Sequence, residues 1–410
     1  MPAILKNTQF LRLWGNQILL QVAFNMSNFT ALLIIADRTH SPFIQAQFYT
    51  ALTIPAIIFG LIAGPIVDMT ERKRLMLITD FLLIILFFLY IFAVESIPLL
   101  LLIAFLTSSV ARFFIPAEAA TIPLVVDKNI LHHANSFFLF TLMGSVLLGY
   151  ALAGPIIQLF GGLRTPGEIA PFILSSIFLI IGFILRLSLA KIEIKKPDVW
   201  GDSLVGKTFI LFAQTVMEVK SNIKISLPLA LLVFVELIVG LLSVLLLEYV
   251  RRYLALPLTS ITYVLMLPLV AGLVIGVSVL GKIEHMYGRK KPILIALFAI
   301  GIVLVAMGIA PIYLDSFVTR IIGTSISFIM GILIVVIAVN ARTILQVNSK
   351  EEMHGRIFSF LDVLIALATP IPVLVTGLLA DSVSILATLM AFGTVVIALT
   401  YLGHKIILRK

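Results

Sequence analysis

A chain of 410 residues with 61% hydrophobic and only 12% charged side chains is not an ordinary soluble domain, since such domains carry about 25% charged residues. The composition therefore predicts an integral membrane protein. The net charge of +9 does not require a nucleic-acid partner, because basic cytoplasmic loops give a membrane protein the same excess. The absence of cysteine excludes disulfides, thiolate chemistry and cysteine-ligated metals.

Apolar segments long enough to cross a bilayer, ~20 residues each, recur along the whole chain. The first is full length with no small-residue cleavage site after it, so we expect an uncleaved signal anchor. The pattern predicts an all-α membrane protein with twelve transmembrane helices. We place them near 14–36, 45–67, 75–94, 97–121, 135–160, 169–190, 226–249, 259–281, 291–312, 315–341, 354–380 and 383–404.

One long, charged connection, 191–224, divides the chain. The predicted organisation is an N-terminal six-helix bundle at 1–190, this linker, and a C-terminal six-helix bundle at 225–410. Within the linker, apolar residues recur at helical spacing opposite charged and polar ones, which is typical of an amphipathic helix lying on the membrane surface. These apolar residues are Phe209, Phe212, Val216 and Val219.

The distribution of Lys and Arg among the loops predicts the orientation. Twenty-two, among them Arg342, lie in loops on the side that holds both termini and the 191–224 linker. Four lie on the other side, namely Arg38, Arg164, Arg251 and Arg252. We therefore expect a multi-pass protein of the cell (inner) membrane with both termini cytoplasmic.

A Gly-x-x-x-Gly motif followed by a basic loop occurs once in each half of the chain. Gly60 and Gly64 form a Gly-x-x-x-Gly face on one predicted helix, and Gly272 and Gly276 repeat it 212 residues after Gly60, about half of the chain. A basic loop follows each pair. Small residues let two helices touch closely, and paired repeats of this kind indicate two pseudosymmetric bundles.

Three segments carry a resemblance to a known family. They are Gly64-x-x-x-Asp68-x-x-x-Arg72-Lys73-Arg74, Phe114-Ile-Pro116-Ala117-Glu118 with His133-Ala134-Asn135-Ser136, and Gly355-Arg356-Ile-Phe-Ser359 with Gly377-Leu-Leu-Ala-Asp381. On these residues the chain resembles the major facilitator superfamily, and within it the drug:proton antiporter branch with macrolide-efflux and enterobactin-exporter-like proteins. The resemblance implies the major facilitator fold and no enzymatic activity.

The first motif implies a latch at the cytoplasmic mouth. Asp68 and Arg72 stand four residues apart with the acid first, so they can pair on one helix face. The resemblance implies that this pair, with Glu118 and the helix start at Gly355 and Arg356, holds the two bundles in the outward-facing state. Gly64 belongs to the same motif. The alternative is an ordinary juxtamembrane charge cluster that only sets topology.

Ionisable groups inside a membrane span are expensive and are functional by default. Glu236 lies near the centre of the seventh predicted span with no cation nearby in sequence, so its carboxyl should be partly neutral and suits proton coupling or substrate contact. The alternative is an acid held for structure, protonated or paired with a cation on another helix. Arg112 lies mid-span, where antiporters of the family often carry an arginine tied to proton transfer, or it is a structural partner for Glu118 or Asp80.

Amides replace an acid in the first span, where Asn25 and Asn28 stand and several relatives carry a carboxylate. We expect both in a proton-coupling or substrate role. Two further carboxylates, Asp80 and Asp362, lie in the cytoplasmic thirds of their spans and fit a gate region better than a substrate site. Arg186 lies nearer a helix end, and we expect it to snorkel to the interface.

Glycines of the fifth and eighth spans predict close packing and hinges. Gly149, Gly154 and Pro155 resemble the exporter-associated Gly-Pro pattern, with Tyr150 where a proline is common, and read as close packing plus a kink. Gly272 and Gly276 are expected to pack helices in the second half. Met69 also departs from the family, which usually has an arginine there.

The sequence favours a secondary active transporter that exports small amphipathic or hydrophobic compounds by alternating access. The resemblance to drug:proton antiporters implies that export is coupled to an exchange for protons. The alternatives are a lysophospholipid or lipid flippase and a solute importer on the same fold. We expect a small-molecule substrate, protons and membrane lipids as partners, no nucleic acid, and a monomer. No cofactor or metal is expected, because the chain contains no nucleotide-binding loop and no His-Glu-x-x-His pattern.

Overall fold

The computed structural model describes residues 3–127, 130–190, 214–349 and 354–409. Its regular elements over these ranges are helices. In chain order they are α1 (Thr8–Thr39), α2 (Pro42–Met69), α3 (Arg72–Ala93), α4 (Ile97–Val125), α5 (Leu131–Leu159), α6 (Ala170–Leu187), α7 (Ile223–Tyr253), α8 (Leu267–Tyr287), α9 (Lys290–Tyr313), α10 (Ser316–Asn348), α11 (His354–Ala368), α12 (Pro370–Ser382) and α13 (Ile385–Arg409).

The all-α membrane fold predicted from the sequence is confirmed. Over the described residues, eleven helical segments are long and apolar enough to cross a membrane, and α5 contributes a shorter apolar segment, Gly144–Leu159. The predicted eleventh span is two helices, because α11 ends before Thr369 and Pro370 begins α12. Proline has no N–H for the ladder, and the Thr369 hydroxyl donates to the Ile365 carbonyl at 2.8 Å.

Local sequence signals explain where several helices begin. The Asp315 carboxylate accepts from the Val318 N–H at 2.9 Å at the start of α10, and the Asn222 side chain accepts from the Lys224 N–H at 3.0 Å at the start of α7. Each side-chain oxygen satisfies a backbone donor that the helix itself leaves unbonded.

The chain forms two compact units. Unit 1 comprises Met1–Arg38 and Ala51–Thr208, and unit 2 comprises Thr39–Thr50 and Phe209–Lys410. The start of α2 thus groups with the second half of the sequence. The predicted boundaries at 190 and 225 stay a prediction. Of the predicted amphipathic linker helix, Phe209 and Phe212 lie outside the described residues, while 214–221 is helical.

Side chains of four helices interlock in the middle of unit 1. The cluster joins α1, α3, α4 and α6 through the buried residues Leu20, Ala23, Leu83, Phe87, Phe114 and Leu179. In a bilayer such contacts act through dispersion and shape, because lipid is as apolar as the side chains themselves. Close packing of these helices is therefore what fixes the unit.

Ion pairs join the ends of helices in unit 1. Arg38, at the end of α1, contacts Glu95 at 2.5 Å and Glu168 at 2.6 Å. Arg164 pairs with Asp37 at 2.6 Å. The hydrogen bond from Arg38 lowers the pKa of the exposed Glu95 carboxyl below its usual value. These pairs connect α1 to the α3–α4 connection and to the segment before α6.

The segment Gly377 to Asp381, which carried part of the resemblance, packs on the start of α2 within unit 2. A Cβ at Gly377 would lie 2.8 Å from the Pro42 carbonyl oxygen and 2.9 Å from the Ala46 Cβ. The Asp381 carboxylate accepts from the Phe43 N–H at 3.2 Å and from the Ser41 hydroxyl. Glycine allows the close approach, and the aspartate bonds the free donors of the first turn.

Gly272 and Gly276 show the close helix contact that their spacing predicts. A Cβ at Gly272 would run into the Phe328 carbonyl oxygen of α10, and one at Gly276 would lie 3.1 Å from the Ile332 Cα. Gly60 differs, since no heavy atom of the described residues lies within 4 Å of an added Cβ. A close helix contact is thus present at Gly272, and the described residues show none at Gly60.

This difference between the two glycines predicts opposite outcomes for the same substitution. Gly272→Ala should lower the stability of unit 2 by about 1–3 kcal/mol, because the methyl group has no room against α10. Gly60→Ala should leave stability unchanged or slightly raise it, since alanine favours helix. Thermal unfolding of the two variants in detergent, followed by circular dichroism, would measure both. Equal midpoints for the two variants would contradict the packing difference.

The contact at the start of α2 predicts a graded effect at Asp381. Asp381→Ala should cost about 0.5–2 kcal/mol, because the Phe43 N–H and the Ser41 hydroxyl lose their acceptor. Asp381→Asn keeps a carbonyl oxygen at the same position and should cost less. The same thermal measurement tests the order, and a wild-type midpoint for Asp381→Ala would exclude the capping role.

Candidate functional site

Two carboxylates and one guanidinium meet inside unit 1, at the end where α1 and α3 begin and α4 and α6 end. They are Asp80 of α3, Glu118 of α4 and Arg186 of α6, here named the buried charge cluster. The Arg186 side chain is 0% exposed, and those of Asp80 and Glu118 are 2% and 5% exposed. Charges so deeply buried must compensate one another.

The two carboxylates contact the arginine unequally. The Arg186 Nε lies 2.7 Å from the Asp80 Oδ2, which also accepts from the Asn16 amide at 3.2 Å. The Arg186 Nη2 lies 3.3 Å from the Glu118 Oε1 and donates to the Asn16 side-chain carbonyl. Asn16 of α1 therefore bridges the arginine and the aspartate, while Glu118 has the longer contact.

Apolar groups close the rest of the space around Arg186. The guanidinium carbon lies 4.8 Å above the centre of the Phe114 ring, and Nη1 contacts the Met76 sulfur. An arginine over an aromatic face is attracted by the ring quadrupole, more strongly where water is excluded. The expectation that Arg186 snorkels to the interface is wrong, because the four helices close over it before its end reaches solvent.

The residues of the predicted latch are only partly described. Arg72 begins α3, and its Nη1 donates to the Ala120 carbonyl at 2.5 Å. Glu118 contacts Arg186. The packing of Gly64 and Gly355 and the side chains of Asp68 and Arg356 lie outside the described part of the structure. The latch stays a prediction.

The amides of α1 belong to a longer polar stripe. Gln17 and Asn28 are buried, and Asn25 is half-buried. The Gln17 amide donates to the Phe138 carbonyl at 3.4 Å, and the Asn25 amide donates to its own helix at Gln21. The Asn28 Oδ1 is buried and accepts no hydrogen bond from the described residues.

Gly149 of α5 brings that helix against the same stripe. A Cβ at Gly149 would lie 2.7 Å from the Asn25 Cβ and 2.7 Å from the Met26 backbone nitrogen. Gly149 thus lies in close contact with α1, and the packing and hinge role that the sequence assigns to it stays a prediction. Gly154 is buried and Pro155 lies inside the continuous helix α5, while their hinge role stays a prediction.

Glu236 lies in the middle of α7 and is half-buried. Its charged neighbours are Arg342 of α10 and Asp362 of α11, both of them exposed. Arg342 was expected in a loop, but Arg342 lies inside α10, which continues to Asn348. Arg342 thus acts on Glu236 electrostatically from another helix, and the role of Glu236 stays a prediction.

Sequence reasoning missed the partnership of Arg186 with Asp80 and Asn16. The available signal was the presence of an arginine, an aspartate and an amide inside three apolar segments. Arg186 occupies the position beside Asp80 and Glu118 that the sequence had offered to Arg112. Arg112 itself is half-buried on α4, and its role stays a prediction. The described residues hold no group of three or more acidic or histidine side chains that could bind a metal.

Known proteins resemble the chain over nearly its full length. The model of the Major Facilitator Superfamily matches residues 13–371. Macrolide efflux protein A of Streptococcus pyogenes is 22% identical over 407 residues, 95% of this chain and 94% of that protein. The uncharacterized MFS-type transporter YkuC of Bacillus subtilis is 26% identical over 313 residues, 72% of this chain and 70% of that protein.

A solved structure shows the same fold. A bacterial homologue of the human lysosomal transporter Spinster aligns with a TM-score of 0.75 at 13% identity, covering 98% of each chain. This likeness agrees with the apolar helices and with the family match. The chain is thus a transporter rather than an enzyme, and it belongs to the major facilitator superfamily.

Proposed function

We propose that this chain is a proton-coupled exporter of small amphipathic or hydrophobic compounds that works by alternating access. It acts as a monomer in the inner membrane of a bacterium, with both termini in the cytoplasm. Alternating access in this fold exposes a site near the bilayer midplane to one side and then to the other. The proposal adds substrate class, direction and coupling to the transporter family established above.

Similarity to an efflux protein supports the direction of transport. The match to macrolide efflux protein A spans 95% of this chain at 22% identity, so it is distant but not confined to one segment. The composition of the membrane spans supports an amphipathic or hydrophobic substrate, because the chain is 61% hydrophobic and few charges lie in mid-span. Apolar cavities with few fixed polar groups suit hydrophobic ligands.

The proposed coupling to protons depends on the position of Glu236. It is a half-buried carboxylate at mid-helix with Arg342 and Asp362 as charged neighbours. A carboxyl group in this position binds a proton where water and substrate enter, and an adjacent arginine favours its release. Binding of a cationic or polar part of the substrate then competes with the proton for the same group.

The latch residues complete the proposed cycle. Asp68 and Arg72 would hold the cytoplasmic side closed in one state, and the helix start at Gly355 would favour the aspartate through its dipole. The support for this step is the motif itself and the position of Arg72 at the first turn of α3.

Transport by proteoliposomes under an imposed pH gradient tests this function. With ethidium, a macrolide and a lysophospholipid as probes, the wild-type protein should accumulate at least one probe against its gradient, and dissipating the pH gradient should abolish the accumulation. Glu236→Gln should abolish uphill transport while binding of the same probe is retained, because glutamine imitates the protonated acid.

The matched control for this variant is Glu284→Gln on α8. Glu284→Gln is the same chemical change at another position of unit 2. The Glu284 carboxylate pairs with the exposed Arg289 at a long distance, 3.5 Å, and such surface ion pairs contribute little to stability. Full gradient-driven accumulation by Glu236→Gln would exclude Glu236 as the coupling group. Accumulation of the lysophospholipid alone would favour the flippase alternative.

The orientation predicts the outcome of reporter fusions. A reporter inserted in the 191–224 linker, or placed after Lys410, should be active in the cytoplasm, because the Lys and Arg excess lies on that side. A reporter at Thr165, in the α5–α6 connection, should be active on the far side. Cytoplasmic activity at Thr165 would overturn the orientation.

A further inference from the structure

The buried charge cluster contains two acidic side chains but one basic side chain, so it would have an excess negative charge if all three were ionised. Asp80 and Glu118 are both acidic, and among the described residues the charged groups that act on Glu118 are Arg186 and Asp80. For Asp80 the charged neighbour is Arg186. With both carboxyl groups ionised, the cluster would hold two negative charges and one positive charge at side chains that are at most 5% exposed.

Neighbouring cations on the packed helices are engaged elsewhere. The Arg12 guanidinium of α1 donates to the Ser188 carbonyl at 2.5 Å. On α3, the Arg72 guanidinium donates to the Ala120 carbonyl, and the Lys73 ammonium donates to the Leu187 and Leu189 carbonyls. On α4, the half-buried Arg112 stands six residues before Glu118 and is not among the charges that act on it. Among the described residues, no second cation therefore balances the excess charge.

A single proton removes the excess. An uncompensated charge inside a protein costs several kcal/mol, and two carboxylates that share one site do not both ionise readily. One protonated carboxyl, one carboxylate and one guanidinium sum to zero. The cluster is then a neutral hydrogen-bonded group of the kind that a membrane interior tolerates.

The contacts indicate which carboxyl group holds the proton. Asp80 has the short contact of 2.7 Å to Arg186 and a hydrogen bond from Asn16, both of which stabilise a carboxylate. Among the described residues, Glu118 has one ion-pair contact, at 3.3 Å to the Arg186 Nη2. We propose that Glu118 is a proton-binding site of unit 1, with Asp80 and Arg186 as the residues that position it.

This site is separate from Glu236, which lies in unit 2. Loss of the proton from Glu118 would make it compete with Asp80 for Arg186, and so would shift the arginine between α3 and α4. The use of this change in transport rests on the proposed proton-coupled export, whereas the presence of the proton does not.

Infrared spectroscopy of the purified full-length protein detects the proton without any substrate. A protonated glutamic acid gives a carbonyl stretching band that an ionised one lacks, and carbon-13 labelling of glutamate shifts that band. Near neutral pH the wild-type protein should show the label-sensitive band, and Glu118→Gln should lose the part of the band intensity that Glu118 contributes. Glu236→Gln should keep the Glu118 contribution, since Glu236 lies in the other unit.

Asp80→Asn separates a proton site from a merely structural acid. With Asp80 neutral, Arg186 has only Glu118 as counter-ion, so Glu118 should ionise and its band should disappear although the residue is still present. An unchanged carbonyl region in Glu118→Gln, or persistence of the Glu118 band in Asp80→Asn, would overturn the proposal. Circular dichroism at ambient temperature verifies that each variant is folded.

The pH dependence of stability gives an independent measurement. If the folded protein binds one proton more than the unfolded chain at neutral pH, its stability falls as the pH rises. The thermal midpoint of Glu118→Gln should therefore fall less on raising the pH than that of the wild type. Parallel curves would contradict the site.

The two proposals fail in different ways. If wild-type proteoliposomes show no pH-driven accumulation while the Glu118 band is present, the proton site stands and the proposed coupling fails. If accumulation is driven by pH and the band is absent, the coupling stands and the Glu118 site fails.

Discussion

Arg186 is a permanent positive charge that the fold of unit 1 holds at 0% exposure. Because water cannot neutralise it, every helix around it must supply a compensating group. Asp80 supplies one from α3, Glu118 from α4 and Asn16 from α1, while Phe114 offers its ring face. The relative positions of these four helices are thus constrained by electrostatics as well as by packing, and a displacement of one helix separates charges in a medium that penalises separation.

Glycines also bring helices of unit 2 into close contact, as Gly149 does in unit 1. Gly272 lies against the Phe328 carbonyl, and Gly377 lies against the start of α2. Small residues bring backbones together without polar partners, so contact of this kind depends on shape alone. The same segment carries Asp381, which bonds the first turn of α2. This explains why the sequence combines a glycine and an aspartate four residues apart.

Hydropathy predicted most of the fold, because a bilayer imposes one length and one composition on each span. The details that it missed depend on which way a side chain points. Arg186 was expected at the surface, since its place near a helix end gives no sign that α1, α3 and α4 close over it. Gly60 and Gly272 share a motif, but only the partner helix decides whether the small face is used. Arg342 was counted with a loop because α10 continues beyond its apolar core to Asn348.

Two groups with the same composition occupy the two units. Asp80, Glu118 and Arg186 are two acids and one arginine, and so are Glu236, Asp362 and Arg342. Their surroundings differ, since the first group is buried throughout, whereas Arg342 and Asp362 are exposed and Glu236 is half-buried. The second group is open to its surroundings, so its charge balance can change without a rearrangement of the helices. The first group is closed off from solvent, so only a proton or a movement of the helices can change its charge balance. The same three residue types therefore suit different tasks, an exchange with the surroundings in one unit and a response in helix packing in the other.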